Sequence, residues 1–379
     1  MPSEYTSQQM KKRALIIEIA TEKEVLSCGC SPAGYNFCRN IVLSKIFDAS
    51  YSLVPWQVKD KVKPTENIGI HYIQSRKKIP FIGKIFNFVL DSISLIRNVK
   101  HSEFIWFYNL TLHTLLAYIY LRFILRKKVF VVLADFDNKP TFFSVSKILS
   151  VCIGYAQGII SLSARSFFSN HKNFSVLPGF APECKHEDNS GKLHADADNM
   201  FLYAGAISKP WGAMLLVDTF AMLPEIRLSI SGPISLPSGG KELFFEKISK
   251  LRNVSYKGLL PIEEYNLLLE KSSVLLSLRD PDFYGNQNNF PSKLIEALLH
   301  GKEVVSTMEY PELKLGDGCV ISYVKYSKEA LADCIRDLYS KRKDSNFWNS
   351  RRTQNFRWLT LHVSKDSWQN TISKLEQNS

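Results

Sequence analysis

The sequence predicts an α/β protein built from two doubly wound parallel-sheet domains that face a central cleft. At 379 residues it is longer than one hydrophobic core usually supports. Both halves alternate apolar, strand-like runs with helical patterns, the mark of parallel sheets with helices on their faces. A polar, charged stretch at 183–198 with no apolar periodicity separates the halves and reads as a linker. The expected division is therefore 1–182, the linker 183–198, a second domain at 199–345, and a tail at 346–379.

In the first half the strands are ALIIEIA, SLVPW, FIWFYN, VFVVLAD, GIISLS and SVLPG; in the second they are MFLYAGA, IRLSISG, VSYKG, VLLSL, EVVST and CVISY. The run FIWFYNLTLHTLLAYIYLRFIL (104–125) is long enough to span a bilayer. Asn109, Thr111, His113 and Arg122 interrupt it, so strand, helix from about Thr111 to Arg126, and second strand is the favoured parse over a transmembrane helix. Phe347, Trp348, Phe356, Trp358 and Trp368 lie in a charged helical tail. They read as anchors that dock terminal helices across a domain interface.

The formal net charge is +12, and +9 of it falls in residues 1–200. A basic, aromatic-rich first half suits an anionic partner: a membrane surface, nucleic acid or phosphorylated substrates. No basic recognition helix or zinc finger argues for nucleic acid. The seven cysteines are scattered without a CxxC pair, as expected of reduced thiols in the cytoplasm. Cys28, Cys30 and Cys38 match no zinc spacing. The first twenty residues lack a signal-peptide pattern.

The densest chemistry is NQNNFPSKLIEALLHGKEVVST (286–307). A helix should begin near Pro291, capped by Asn288 or Asn289, and stop at Gly301. Leu294, Ile295, Leu298 and Leu299 form its buried stripe, and Ser292, Glu296 and His300 line another face with Lys293 nearby. Such a helix start favours a phosphate, assisted by Ser292 and Lys293. Glu296, one turn further in, can accept two hydrogen bonds from a ribose diol. A solvated amphipathic helix explains any one of these residues as well.

The order of features resembles the C-terminal half of GT-B fold glycosyltransferases, in particular the retaining family 4 of bacterial capsule and O-antigen assembly. NNFPSKLIEALLHGKEVV carries the family's second glutamate as Glu296 and its Gly-x-x-Val-Val turn as Gly301 to Val305. FLYAGAISKPWGAMLLVDTFAMLPEIRLSISG and YKGLLPIEEYNLLLEKSSVLLSL follow the family order upstream, so the resemblance runs from about Phe201 to Tyr339. The family's first acid falls on Asn288, its Arg and Lys on Ala206 and Trp211, and its N-domain histidine on Ala134.

The resemblance implies a donor site of Gly205, Lys209, Gly232, Asn288, Asn289, Pro291, Ser292, Lys293 and Glu296; Arg279, which ends another strand at the same cleft, is a second-rank candidate for phosphate or sugar contact, or an exposed loop arginine. Lys209 is the cation nearest in sequence to the family's pair. It implies Gly34, Tyr35, Asp135 and Asp137 on the acceptor side, and Asp135, Lys209 and Glu296 as the catalytic group. Asp135 and Asp137 end an apolar strand, where a carboxylate orients an acceptor hydroxyl or merely caps a turn. The co-substrate is a nucleotide-diphosphate sugar, UDP favoured, with no cofactor and no metal; the acceptor is a lipid-linked glycan or other oligosaccharide.

RKKIPFIGKIFNFVL (76–90) and the basic 126–128 fit either a core helix or attachment to an anionic inner-membrane surface. The rival readings are a nucleotide-sugar epimerase on the same fold and a basic lipid- or nucleic-acid-binding adaptor.

Overall fold

The structure, a computed structural model, describes residues 12–21, 23–24, 33–55, 58, 62, 69–75, 83–134, 136, 145–182 and 200–379. For residues 33, 34, 83–85 and 288 only the backbone is described. Its strands form two parallel sheets.

The N-terminal sheet has seven strands: β1 (Arg13–Ile17), β2 (Ala49–Leu53), β3 (Ile70–Ile73), β4 (Phe104–Tyr108), β5 (Lys128–Leu133), β6 (Gly158–Ser161) and β7 (Phe174–Val176). They lie in the order β3-β2-β1-β4-β5-β6-β7. Helices α1 (Ala33–Leu43), α2 (Gly83–Val99), α3 (Leu112–Ile119) and α4 (Val145–Gly154) connect them. Phe104, Ile105, Trp106 and Phe107 are all fully buried, as a parallel sheet covered on both faces requires.

The 104–125 run resolves as the strand–helix parse expects. After β4, Asn109 takes a left-handed turn (φ 52°) and its Oδ1 accepts from the Ala134 amide at 2.8 Å. Thr111 and Thr114 then cap α3 reciprocally, and α3 runs on into a π-helical turn at Tyr120–Ile124. Among the described residues no helix is long and apolar enough to cross a membrane. The short edge strand β3 was not anticipated. Its four residues run buried, exposed, half-buried, buried and follow Gly69, which leaves too short a pattern to read.

The C-terminal sheet runs β10-β9-β8-β11-β12-β13. Its elements, in chain order, are β8 (Phe201–Ala204), α5 (Ala213–Phe220), β9 (Leu228–Ser231), α6 (Gly240–Ser249), β10 (Val254–Tyr256), α7 (Ile262–Lys271), β11 (Val274–Ser277), α8 (Tyr284–Asn288) and α9 (Ser292–Leu299). β12 (Glu303–Ser306), β13 (Ser322–Tyr323) and α10 (Lys328–Ser340) complete it. Strand order reverses beside β1 and β8, and at such switch points the carboxyl ends of neighbouring strands diverge and open a crevice.

Two terminal helices follow, α11 (Ser345–His362) and α12 (Lys365–Gln377). α11 packs on α9, and Arg351 pairs with the buried Glu303. α12 reaches the N-terminal sheet. Trp368 is fully buried and donates its indole N–H to the Gly179 carbonyl at 2.7 Å. Glu376 accepts from Trp106 at 3.1 Å and pairs with Arg13 at 2.8 Å.

Candidate functional site

Helix α9 starts one residue later than the sequence implied. Pro291 is its N-cap rather than its first helical residue, and among the described side chains none caps it. Asn289 is turned elsewhere: its Oδ1 accepts from the Phe136 amide at 3.4 Å, joining the two halves. Asn288 ends the short helix α8. The uncapped amides at the start of α9 therefore stay available to an anion. Gly301, at φ 65°, follows the helix in the left-handed conformation that favours glycine.

Along α9, Leu294, Ile295, Ala297 and Leu298 are buried, which turns Ser292, Lys293 and Glu296 toward the space between the halves. Tyr265, on α7, donates its hydroxyl to Glu296 Oε2 at 2.9 Å. The Lys293 ammonium sits 4.8 Å from the centre of the same ring, a cation–π distance. Burial lowers the Lys293 pKa, and Glu296 partly opposes that shift. Burial, reinforced by the Glu296 charge, pushes Tyr265 well up, so Tyr265 is a donor to Glu296 at neutral pH. One aromatic side chain thus positions both charged residues.

These groups face a cleft of about 750 Å³. From the N-terminal half Phe37, Tyr108, Ala134 and Leu162 line it; from the other come Gly205, Ala206, Trp211, Arg279, Asn289 and the start of α9. It continues into a narrower recess at Asn36, Gly232, Tyr265, Lys293 and Glu296. A lobe of about 230 Å³ lies beyond it, with Arg39, Asn40 and His300. Gly232 has φ 143°, and a Cβ there would lie 1.9 Å from the Gly205 carbonyl oxygen. The loop after β9 can approach the Gly205 backbone this closely only with a glycine at 232.

The structure brings together Gly205, Gly232, Arg279, Asn289, Pro291, Ser292, Lys293 and Glu296. It does not bring Lys209 with them: that residue is exposed on a 3-10 turn and is not among the lining residues. Ala206 and Trp211, at the positions where the resembled family keeps cations, do line the cleft. Its described cations are instead Arg279, Lys293 and Arg39. Gly34 lies in the first turn of α1, but Tyr35 is buried and Asn36 takes the cleft-facing position. Asp135 and Asp137 lie outside the described residues, although their neighbour Ala134 is at the cleft wall.

Sequence reading missed Tyr265, Asn36 and Arg39. Asn36 and Arg39 had a signal, since they follow Gly34 on the same helix; Tyr265 had none in the local pattern of its segment. Among the described residues no group of three or more His, Cys, Asp or Glu could hold a metal ion. Cys38 is a buried free thiol, and Cys28, Cys30 and Cys184 lie outside the described residues.

A second polar cluster sits in the N-terminal half, away from the lining residues. His113 is 3.3 Å from Asp91 and 3.5 Å from Glu18. Burial works against its proton, yet the two carboxylates prevail and raise its pKa to about 9.

No protein-family model matches the sequence, and no curated protein matches it either. Solved structures match in shape. HepE from Anabaena, in complex with UDP, superposes with a TM-score of 0.64 at 14% identity, covering 97% of this chain and 100% of that one. The lipopolysaccharide outer core galactosyltransferase WaaB, in its apo form, gives 0.58 at 15% identity over 96% and 98%. A UDP-GlcNAc 2-epimerase from Neisseria meningitidis, bound to UDP-GlcNAc, gives 0.54 at 11% over 97% and 100%. At such identities the likeness shows the fold: two Rossmann-like domains in the GT-B arrangement.

Proposed function

We propose that the protein is a glycosyltransferase that moves a sugar from a nucleotide diphosphate to a lipid-linked glycan. The observation that carries this reading is the uncapped start of α9 opening into the interdomain cleft, with Lys293 and Glu296 held over one tyrosine. The diphosphate rests on the helix amides and Ser292, and Arg279 and Lys293 neutralise the charge that builds on it as the sugar departs. Lys209, outside the lining, leaves that task to them. Glu296 takes the ribose hydroxyls. Asn288, eight positions earlier, is assigned to the donor sugar from the family resemblance.

The acceptor enters from the N-terminal side, past Asn36 and the end of β5, where Asp135 orients or deprotonates its hydroxyl. The same resemblance supports retention of configuration, metal independence, and residence at the cytoplasmic face of the inner membrane in surface-polysaccharide synthesis. It also supports the division into an acceptor domain (1–182), a donor domain (199–345) and returning helices (346–379). UDP is the favoured nucleotide, because HepE is a structural neighbour with UDP bound.

Calorimetry with UDP, GDP and ADP tests the donor site. One of them should bind, and Glu296→Ala should weaken it by about tenfold, the loss of roughly 1.4 kcal/mol of charged hydrogen bonding. Absence of binding by all three, or an unchanged affinity in the variant, removes the assignment.

The epimerase neighbour keeps a second reading open. An epimerase converts the donor with no acceptor present, so product analysis of UDP-sugars incubated alone separates the two. Glu296 is the one carboxylate among the described lining residues and is tied to Tyr265, which favours transfer over an acid/base pair.

A further inference from the structure

We infer that the outer face of α2, α3 and α4 is the surface by which the protein docks on an anionic lipid bilayer. This deepens the lipid-linked-acceptor reading, on which it rests for its purpose but not for its observations.

Helix α3 is apolar on both sides. Its inner side buries Leu115, Ala117, Tyr118 and, in the π turn, Leu121. Its outer side presents Leu112, Leu116, Ile119 and Phe123 at helical spacing, between 37% and 52% exposed. A helix apolar all round belongs in a core or in lipid rather than at a water boundary.

Its neighbours continue the pattern. α3 packs between α2 and α4. α4 exposes Val145, Ile148 and Val151, the last two at 55% and 54%, and α2 exposes Val89 and Ile93. The Phe123 and Tyr155 rings meet edge to face at 5.7 Å, and Arg122 donates to the Tyr155 carbonyl at 2.8 Å, so α3 and the end of α4 form one continuous surface. Scattered single apolar residues are ordinary on a protein surface, whereas a contiguous patch over three helices marks a binding face.

Charge selects the occupant. The three helices and the π turn contain a single acid, Asp91, which is buried against His113. Arg97, Lys100, Arg126 and Lys147 are exposed on or beside them. Apolar residues that sink into acyl chains, on helices that carry no exposed acid of their own and have cations on or beside them, complement an anionic headgroup layer. A bilayer docked there lies close to the acceptor side of the cleft, because Tyr108 and Ala134, which end the strands flanking α3, line it. A lipid-linked glycan could then enter without its lipid leaving the membrane.

Co-sedimentation of the full chain with phosphatidylcholine vesicles, with and without phosphatidylglycerol, tests this. Expected are binding to the anionic vesicles, weakening as salt rises, and an affinity lowered about tenfold by Leu116→Glu or Ile148→Glu. Circular dichroism and UDP calorimetry on both variants confirm that fold and donor site are intact. Failure to bind anionic vesicles, or binding untouched by both variants, overturns the inference. So does a lipid-free dimer that the same variants dissociate, since the face then belongs to a second copy. Loss of UDP binding in the unmodified chain with vesicle binding intact strikes the transferase reading alone.

Discussion

The helices that cover the two sheets are dressed in opposite ways. On the C-terminal half the outward positions pair charges: Lys250 with Glu246 at 2.7 Å, Arg336 with Asp333 at 2.9 Å, Lys341 with Asp337 at 2.7 Å. On the N-terminal half α2, α3 and α4 expose a run of large apolar side chains beside a few cations, and their only acid is buried. Both sheets obey the same parallel, doubly wound logic, so the fold does not demand this difference. Solvent-facing ion pairs add little stability, but they keep a helix wet; three adjacent helices with no exposed acid of their own therefore make a statement about what lies outside them.

Four experiments break or sharpen that contrast. The largest effect is expected at the tie between the halves. Trp368→Ala removes a fully buried indole and its bond to Gly179, and chemical denaturation should show a loss of about 3–5 kcal/mol. A loss below 1 kcal/mol, on the order of a surface change, means that α12 does not hold the halves together.

Next is His113, the buried group behind the apolar face. Its folded pKa of about 9 exceeds the unfolded value of about 6.5, so its contribution is fully present below the unfolded value and is lost as pH rises through 9. The stability gap between the parent protein and His113→Gln should be on the order of 3 kcal/mol at the acid end and shrink toward the alkaline end. A gap that does not change with pH refutes the ion-pair account.

Leu267, 55% exposed on α7, is the matched control for the outer faces. Leu267→Glu should leave vesicle binding unchanged, whereas Leu116→Glu weakens it; equal effects would erase the contrast. The smallest change is expected from Asp333→Asn, which breaks an exposed pair and should shift stability by less than about 0.5 kcal/mol. A larger shift would show that the charged faces do more than stay hydrated.

The strands were legible because parallel sheets bury both faces, and runs such as FIWFY and VFVVL are apolar on both. β3 was not, since a four-residue edge strand has too few inward positions to set a period. At the site, the α9 stripe and Gly301 were readable from spacing, and they placed Ser292, Lys293 and Glu296 correctly on the cleft side. Capping by Asn289 was not realised, because Asn289 is recruited by the other half through Phe136, a contact that no local pattern encodes. Lys209 looked close to the phosphates in sequence, yet the turn at Lys209–Trp211 faces Trp211 inward and leaves the lysine outside. Tyr265 needed the packing of α7 on α9, a tertiary fact.

The contact between Gly205 and Gly232 sets a limit on how this cleft can diversify. Because any side chain at 232 would collide with backbone, that wall is closed to variation. Randomised libraries aimed at a new donor would be wasted there. They belong at Trp211, Ile234 and Asn36, where the wall is made of side chains and can be recut without moving the main chain.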